Sequence, residues 1–156
     1  MAEVVILIGL PGAGKSTFFR QRFETTHQLI SKDRFTDRRQ LGLQQAQLIA
    51  RALAEGHNLV LDNTNATPAE RSGPIQLARA AGAGVVGYLF DTPVRDCLAR
   101  NRTREGRARV PDVAIFTTAK RLVPPIADEG FDSLYLVRPR PEMLFEVLPA
   151  PNAVVP

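Results

Sequence analysis

An α/β fold is predicted for this chain: a five-stranded parallel sheet between two layers of helices, a three-layer sandwich. Three observations predict it. Apolar runs of strand length alternate with segments whose apolar residues recur at helical spacing. The first run, Val4-Val5-Ile6-Leu7-Ile8, is apolar at every position, as a strand covered on both faces must be. A glycine-rich turn then joins that strand to helix-forming sequence.

The first helix is predicted from about Ser16 to Phe23, followed by a short strand at Gln28-Leu29-Ile30. Leu43, Ala46, Ile49, Ala50 and Leu53 mark a helix from Leu41 to Glu55 that stops before Gly56. Asn58-Leu59-Val60-Leu61 is the third strand. Thr67 and Pro68 suit the N-cap and first turn of a helix to about Ala81, with Gly73-Pro74 expected to delay or kink its start. Val85 to Phe90 is the fourth strand, and Pro93 to about Asn101 the next helix. A helix from Pro111 to about Leu122 and a fifth strand, Leu134 to Val137, complete the alternation. One domain spans 1–148, with Leu144 to Leu148 as a short packed element. The proline-rich end, 149–156, is expected to be extended or disordered.

Composition excludes several classes. The chain has 156 residues, enough for one domain, and 44% of them are hydrophobic. A single cysteine, Cys97, cannot close an internal disulfide, and with two histidines it cannot assemble a zinc site of ordinary spacing. No apolar run approaches the roughly 20 residues that a bilayer crossing needs. Glu3 comes early and no basic segment or cleavage site follows, so a soluble cytoplasmic protein is expected. Cys97 and the histidines receive no functional role.

The formal charge is +4, carried by 17 arginines but only three lysines among the basic residues. Arg presents a planar fork of donors that suits oxyanions, though cheap codons produce the same bias. The excess is local: Arg100, Arg102, Arg104, Arg107 and Arg109 fall within ten residues with one acid, Glu105.

Gly9-Leu10-Pro11-Gly12-Ala13-Gly14-Lys15-Ser16 matches the P-loop pattern G-x-x-x-x-G-K-[ST] in full. Its glycines let successive backbone N–H groups converge on phosphate oxygens at a helix N-terminus. Gly9, Gly12, Ala13, Gly14, Lys15, Ser16 and Thr17 are therefore candidate ATP-binding residues. Lys15 would reach the β- and γ-phosphates, and Ser16 would ligate Mg²⁺.

Ser31-Lys32-Asp33 ends the second strand at the sheet edge where open α/β folds bind ligands. Asp33 suits a general base that takes the proton of an attacking hydroxyl. It equally suits a helix cap or a surface ion pair, and Asp37 is the fallback base. Asp62-Asn63-Thr64-Asn65 ends the third strand, where Asp62 could hold Mg²⁺ through water. The other three offer donors and acceptors to an acceptor substrate, or form an Asx turn that merely ends the strand. The arginine segment, about residues 100–111, suits a helical lid that closes over phosphates, with Arg100, Arg104 and Arg107 on one helical face. The same residues would also make a solvated charged face. Arg71 is taken as an exposed arginine outside the lid.

Together these features resemble the kinase domain of polynucleotide kinases, which phosphorylate 5′-hydroxyl ends of DNA or RNA. The likeness runs from the first strand to about Val137. It rests on Ile8 through Phe18, on Ser31-Lys32-Asp33, on Asp62 through Asn65, and on the arginine segment followed by Ala127-Asp128-Glu129-Gly130-Phe131. Ala78-Arg79-Ala80-Ala81-Gly82 adds to it. The resemblance implies ATP and Mg²⁺ held by Lys15 and Ser16, Asp33 as general base, and an acceptor site lined by Asp33 and Asp62 to Asn65. Arg100 and Arg104 best match the lid arginines, with Arg102 or Arg107 able to take either role. Some family members carry an Arg three residues after the catalytic Asp; Thr36 stands there, leaving Arg34, Arg38 or Arg39 as substitutes. The Asp-x-Asp-x-Thr motif of the associated phosphatase is missing, so that activity is not expected. The function implied is transfer of the γ-phosphate of ATP to 5′-OH nucleic-acid ends in DNA or RNA repair. A small-molecule kinase (sugar, nucleoside or antibiotic acceptor) and a slow ATP-hydrolysing switch are the competing readings. With no Trp, and with only Phe35 and Phe116 near the acceptor side, a long base-stacking track is not expected.

Overall fold

A computed structural model describes residues 2–32 and 40–150, apart from the side chain of Arg107. Its strands are β1 (Glu3–Ile8), β2 (Gln28–Ile30), β3 (Leu59–Asp62), β4 (Gly84–Phe90), β5 (Ser133–Arg140) and β6 (Leu144–Pro149). Its helices are α1 (Lys15–Arg22), α2 (Leu41–Ala54), α3 (Pro68–Ala80), α4 (Val94–Arg102) and α5 (Asp112–Arg121). The strands lie in the order β2-β3-β1-β4-β5-β6.

The sheet has six strands, not the five predicted. β1 to β5 are parallel, and β6 pairs antiparallel with β5 from Tyr135↔Pro149 to Arg140↔Leu144. The sixth strand escaped prediction because its half-buried, proline-flanked sequence has no strong two-residue period. It forms because β5 offers an open edge and a three-residue turn returns the chain to it. The fold therefore extends through Pro149. Ala150 is buried, and its N–H donates to the Leu134 carbonyl at 3.1 Å.

Helices cover both faces. Val4, Ile6 and Ile8 of β1 pack with Ile49 and Leu53 of α2 and with Ile75 and Ala78 of α3. Val5 and Leu7 face the other way, onto Phe18 and Phe19 of α1, Cys97 of α4 and Ile115 of α5. All five β1 residues from Val4 to Ile8 are wholly buried, which explains their unbroken apolarity. Phe18 anchors an aromatic cluster with Phe23, Tyr88, Phe90 and Phe145 at centroid distances of 5.2–5.9 Å. Burying a side chain of this size contributes about 2–3 kcal/mol.

α3 begins as predicted, with the Thr67 hydroxyl accepting from the Glu70 N–H at 3.2 Å. Gly73-Pro74 does not delay its start; Pro74 sits inside the helix, buried. Placing β3 between β1 and β2 is what assembles the site, because the C-terminal ends of β1 and β3 become neighbours. No helix among the described residues is long and apolar enough to cross a membrane.

Candidate functional site

The loop between β1 and α1 is a cradle whose two tight positions only glycine fills. Gly12 and Gly14 have φ of 81° and 106°. A Cβ on Gly12 would lie 2.7 Å from the Cys97 carbonyl oxygen, and one on Gly14 would lie 2.7 Å from Arg100 Nη1. The loop is thus pressed against α4. The Thr92 hydroxyl reinforces that docking by donating to the Ala13 carbonyl at 2.8 Å. On the opposite side, the Gly9 N–H donates to the Thr64 carbonyl at 3.0 Å, tying the loop to the end of β3.

Lys15 is buried and its ammonium donates to the Gly9 carbonyl at 2.6 Å and the Leu10 carbonyl at 3.3 Å. It therefore lies along the inside of the cradle. Ser16 donates its hydroxyl to Asp62 Oδ2 at 2.7 Å. A serine hydroxyl and a strand-end carboxylate at this separation form a hard-oxygen pair. Mg²⁺ usually takes one or two such protein ligands and draws the rest from phosphate and water. Thr17 lies just beyond, its hydroxyl accepting from Arg20 at 3.2 Å.

Two clefts meet at Ser16 and Arg104. One, about 260 Å³, lies between the cradle (Lys15, Ser16) and a wall of Lys32, Asp62, Asn63 and Thr64. The other, about 480 Å³, is lined by Gly14, Thr17, Arg20, Arg100 and Met143. Arg104 lines both. Asp33, the predicted base, lies outside the described residues, as do Arg34, Phe35, Thr36, Asp37, Arg38 and Arg39. The residue before Asp33 is placed: the Lys32 N–H donates to Asn63 Oδ1 at 2.8 Å.

The predicted acceptor loop divides by function. Asp62, Asn63 and Thr64 face the first cleft, whereas Asn65 turns inward. Its amide is buried and donates to the Leu7 carbonyl at 2.8 Å, while its backbone holds a φ of 46°. Asn65 therefore shapes the loop from below instead of reaching a substrate.

Arg71 also departs from expectation. It is fully buried, not exposed. Its guanidinium grips Glu129 at 2.8 and 3.0 Å and donates to the Asn65 carbonyl at 2.9 Å. Glu129 also accepts from the Ile126 N–H at 3.0 Å. This network fastens the floor of the Asp62–Asn65 loop and gives Glu129 of the Glu-Gly-Phe motif its role. A surface helix of mixed polarity carried no signal for it, because the partner lies 58 residues away.

The arginine segment is helical in two pieces, the last turn of α4 and a single tight turn at Gly106–Ala108. Arg100, Arg104 and Arg107 therefore do not share one continuous helical face. Asn101, unremarked in the sequence, is the reason. It is wholly buried, and its side chain brackets Val110, donating to the carbonyl at 2.7 Å and accepting from the N–H at 3.0 Å. That closes residues 102–109 into a loop. Arg100 and Arg104 come to the clefts, Arg102 and Arg109 are exposed, and the Arg107 side chain lies outside the described residues. Phe116 is exposed on α5 and lines neither cleft.

The cradle fits a nucleoside triphosphate. Arg100 Nη1 is buried and has no hydrogen-bond partner among the described residues, while it sits over Gly14. An unsatisfied guanidinium N–H beside a phosphate cradle is what an incoming oxyanion would satisfy. Behind it, burial pushes the Cys97 thiol up to about 11, against the opposing pull of the Arg100, Lys15 and Arg104 charges.

Comparison with known proteins agrees with this architecture. A sugar kinase from Janibacter sp. aligns with a TM-score of 0.67 and 16% identity over 88% of this chain and 86% of its own. A fungal RNA kinase aligns with a TM-score of 0.64 and 16% identity over 88% of this chain. A chain of the Pnkp1/Rnl/Hen1 complex gives a TM-score of 0.55 and 24% identity over 64%. This chain spans only 38% of the length of each of the latter two. At these identities the likeness is one of fold. A family model described as an AAA domain matches residues 4–125, from β1 through α5, and the chain belongs to that family of P-loop proteins.

Proposed function

We propose that this protein is an ATP-dependent phosphotransferase whose acceptor is the 5′-hydroxyl end of a DNA or RNA strand. The observation that carries the transferase reading is the two-walled cleft. Lys15 and Ser16 form a donor wall, Lys32, Asn63 and Thr64 form an acceptor wall, and Arg104 stands at the junction. The second wall gives an acceptor hydroxyl a place opposite the phosphates. The polynucleotide acceptor rests on the sequence motifs, above all Ser31-Lys32-Asp33 and Asp62-Asn63-Thr64.

In this reading the acceptor oxygen attacks the γ-phosphorus in line, its proton passes to the Asp33 carboxylate, and the bond to the β-phosphate oxygen breaks to release ADP. Lys15 and Arg100 hold the phosphate oxygens, and Arg104 bears on the charge that spreads over the transferring group. Ser16 and Asp62 are the residues that would hold Mg²⁺, which when bound neutralises charge between the β- and γ-phosphates. Most of the acceleration comes from positioning.

Transfer of label from γ-labelled ATP to 5′-OH oligonucleotides of DNA and RNA tests this directly. Transfer to neither overturns the acceptor assignment, and full transfer by Asp33→Ala overturns the base. The second reading, a sugar kinase, is favoured by the end-to-end alignment with the Janibacter enzyme. Salt separates the two: affinity for a polymer acceptor falls steeply as salt rises, whereas a neutral sugar is indifferent.

A further inference from the structure

Beside the phosphate cleft, a groove of about 240 Å³ opens between α2 and α3. Lys32 lines both spaces, so the groove continues the acceptor side of the cleft. Ile49, Pro74 and Leu77 give it apolar walls.

Gln45 supplies the polar contact. It is only 5% exposed, and a chain of hydrogen bonds fixes its orientation. The Lys32 backbone N–H can only donate, so it takes Asn63 Oδ1; Asn63 Nδ2 then donates to Gln45 Oε1 at 2.7 Å. Gln45 lines the groove, and its NH₂ has no acceptor among the described residues. Glu70, across the groove, is an acceptor and offers no donor. Its carboxylate already accepts from the Ala66 N–H at 2.8 Å and from Arg121. Burial raises its pKa, but the Arg121 and Ala66 hydrogen bonds and the Arg121 and Lys32 charges outweigh that and lower it.

Glycines keep the groove open. Gly42 and Gly73 both line it, and a Cβ on either would meet nothing within 4 Å. Gly73 has a local reason, since a side chain there would crowd the ring of Pro74. Gly42 has none: it lies inside α2, does not adopt a left-handed φ and packs against nothing, although glycine weakens a helix.

The groove therefore asks for a body with apolar faces and an acceptor on its edge. A hexose fits badly, because its hydroxyls would be stranded against Ile49, Pro74 and Leu77. A nucleobase has apolar faces and edge acceptors. We infer that the α2–α3 groove holds the base of the acceptor's 5′-terminal nucleotide, an inference that rests on the polynucleotide reading above.

The test compares two 5′-OH oligonucleotides, identical except that one has an abasic 5′-terminal residue. With the intact protein, KM is ~10-fold lower for the end that carries its base, as one base contact of ordinary strength gives. Gly42→Leu and Ala46→Leu, which fill the groove from α2, raise KM for the base-bearing end and erase the difference. Thermal melting of both variants shows no loss of fold, since leucine forms helix far better than glycine and only slightly less well than alanine. Equal KM for the two ends in the intact protein, or a difference that persists in both variants, overturns the groove assignment and leaves oligonucleotide phosphorylation standing. Labelling of no oligonucleotide overturns the polynucleotide reading, and this inference with it.

Discussion

The Ser16 hydroxyl donates to the Asp62 carboxylate across 2.7 Å, joining the first turn of α1 to the end of β3, 46 residues away. The contact follows from strand order: β3 lies directly beside β1, with Leu7 level with Asp62, so whatever ends β3 faces whatever follows β1. If this pair holds Mg²⁺, Asp62→Ala raises the Mg²⁺ concentration for half-maximal phosphoryl transfer by about 10–100-fold. A Mg²⁺ titration at fixed ATP reads this, and an unchanged midpoint removes Asp62 from the metal site.

Arg100 and Arg104 give a different pattern. Arg100 Nη1 has no partner to lose, and the contact from Arg104 Nη1 to the Ala108 carbonyl is long at 3.5 Å and exposed. Alanine at either position is expected to leave stability within about 0.5 kcal/mol while lowering turnover by roughly 10²-fold. The rise in melting temperature on adding ATP shrinks for Arg100→Ala. A large loss of stability without ATP would show that these arginines serve the fold.

Arg71 behaves in the opposite way. Arg71→Ala leaves Glu129 and the Asn65 carbonyl without their partner in the interior, and a broken buried pair costs about 3–5 kcal/mol. Urea denaturation measures this against Arg95→Ala, whose side chain is 87% exposed and whose removal costs almost nothing. Comparable midpoints for the two variants would contradict the buried network.

Cys97 makes a pH prediction. Its thiol ionises near 9.0 when unfolded and is pushed to about 11 in the fold, chiefly by burial. The folded chain then holds a proton that the unfolded chain has released. Stability from this group is intact below about 9 and falls as pH rises from 9 towards 11. Cys97→Ala flattens that part of the profile in denaturation series between pH 8 and 11. An unchanged profile would place the thiol in a more open setting than its burial implies.

Some of this site is legible in residues that are neighbours along the chain. The cradle is one, because a strand, a glycine turn and a helix N-terminus are all specified within the span of β1 to α1. Element types follow for the same reason, since the burial of both faces of β1 is written into its unbroken apolar run. Asn101 shows the limit: in the sequence it is one residue among arginines, and only the return of the chain to Val110 makes it the clasp of the arginine loop.

The α/β alternation, the phosphate cradle and the concentration of arginines from the last turn of α4 onward are thus all written in the sequence. Each depends on periodicity or on backbone conformation over a few residues. Tertiary structure alone decided that Asp62 meets Ser16, that Arg71 is interior and that β6 closes the sheet. It also decided that Gln45 and Gly42 share a groove with Lys32. These facts depend on strand order and helix packing, which bring together residues whose separation in sequence carries no local trace of their contact.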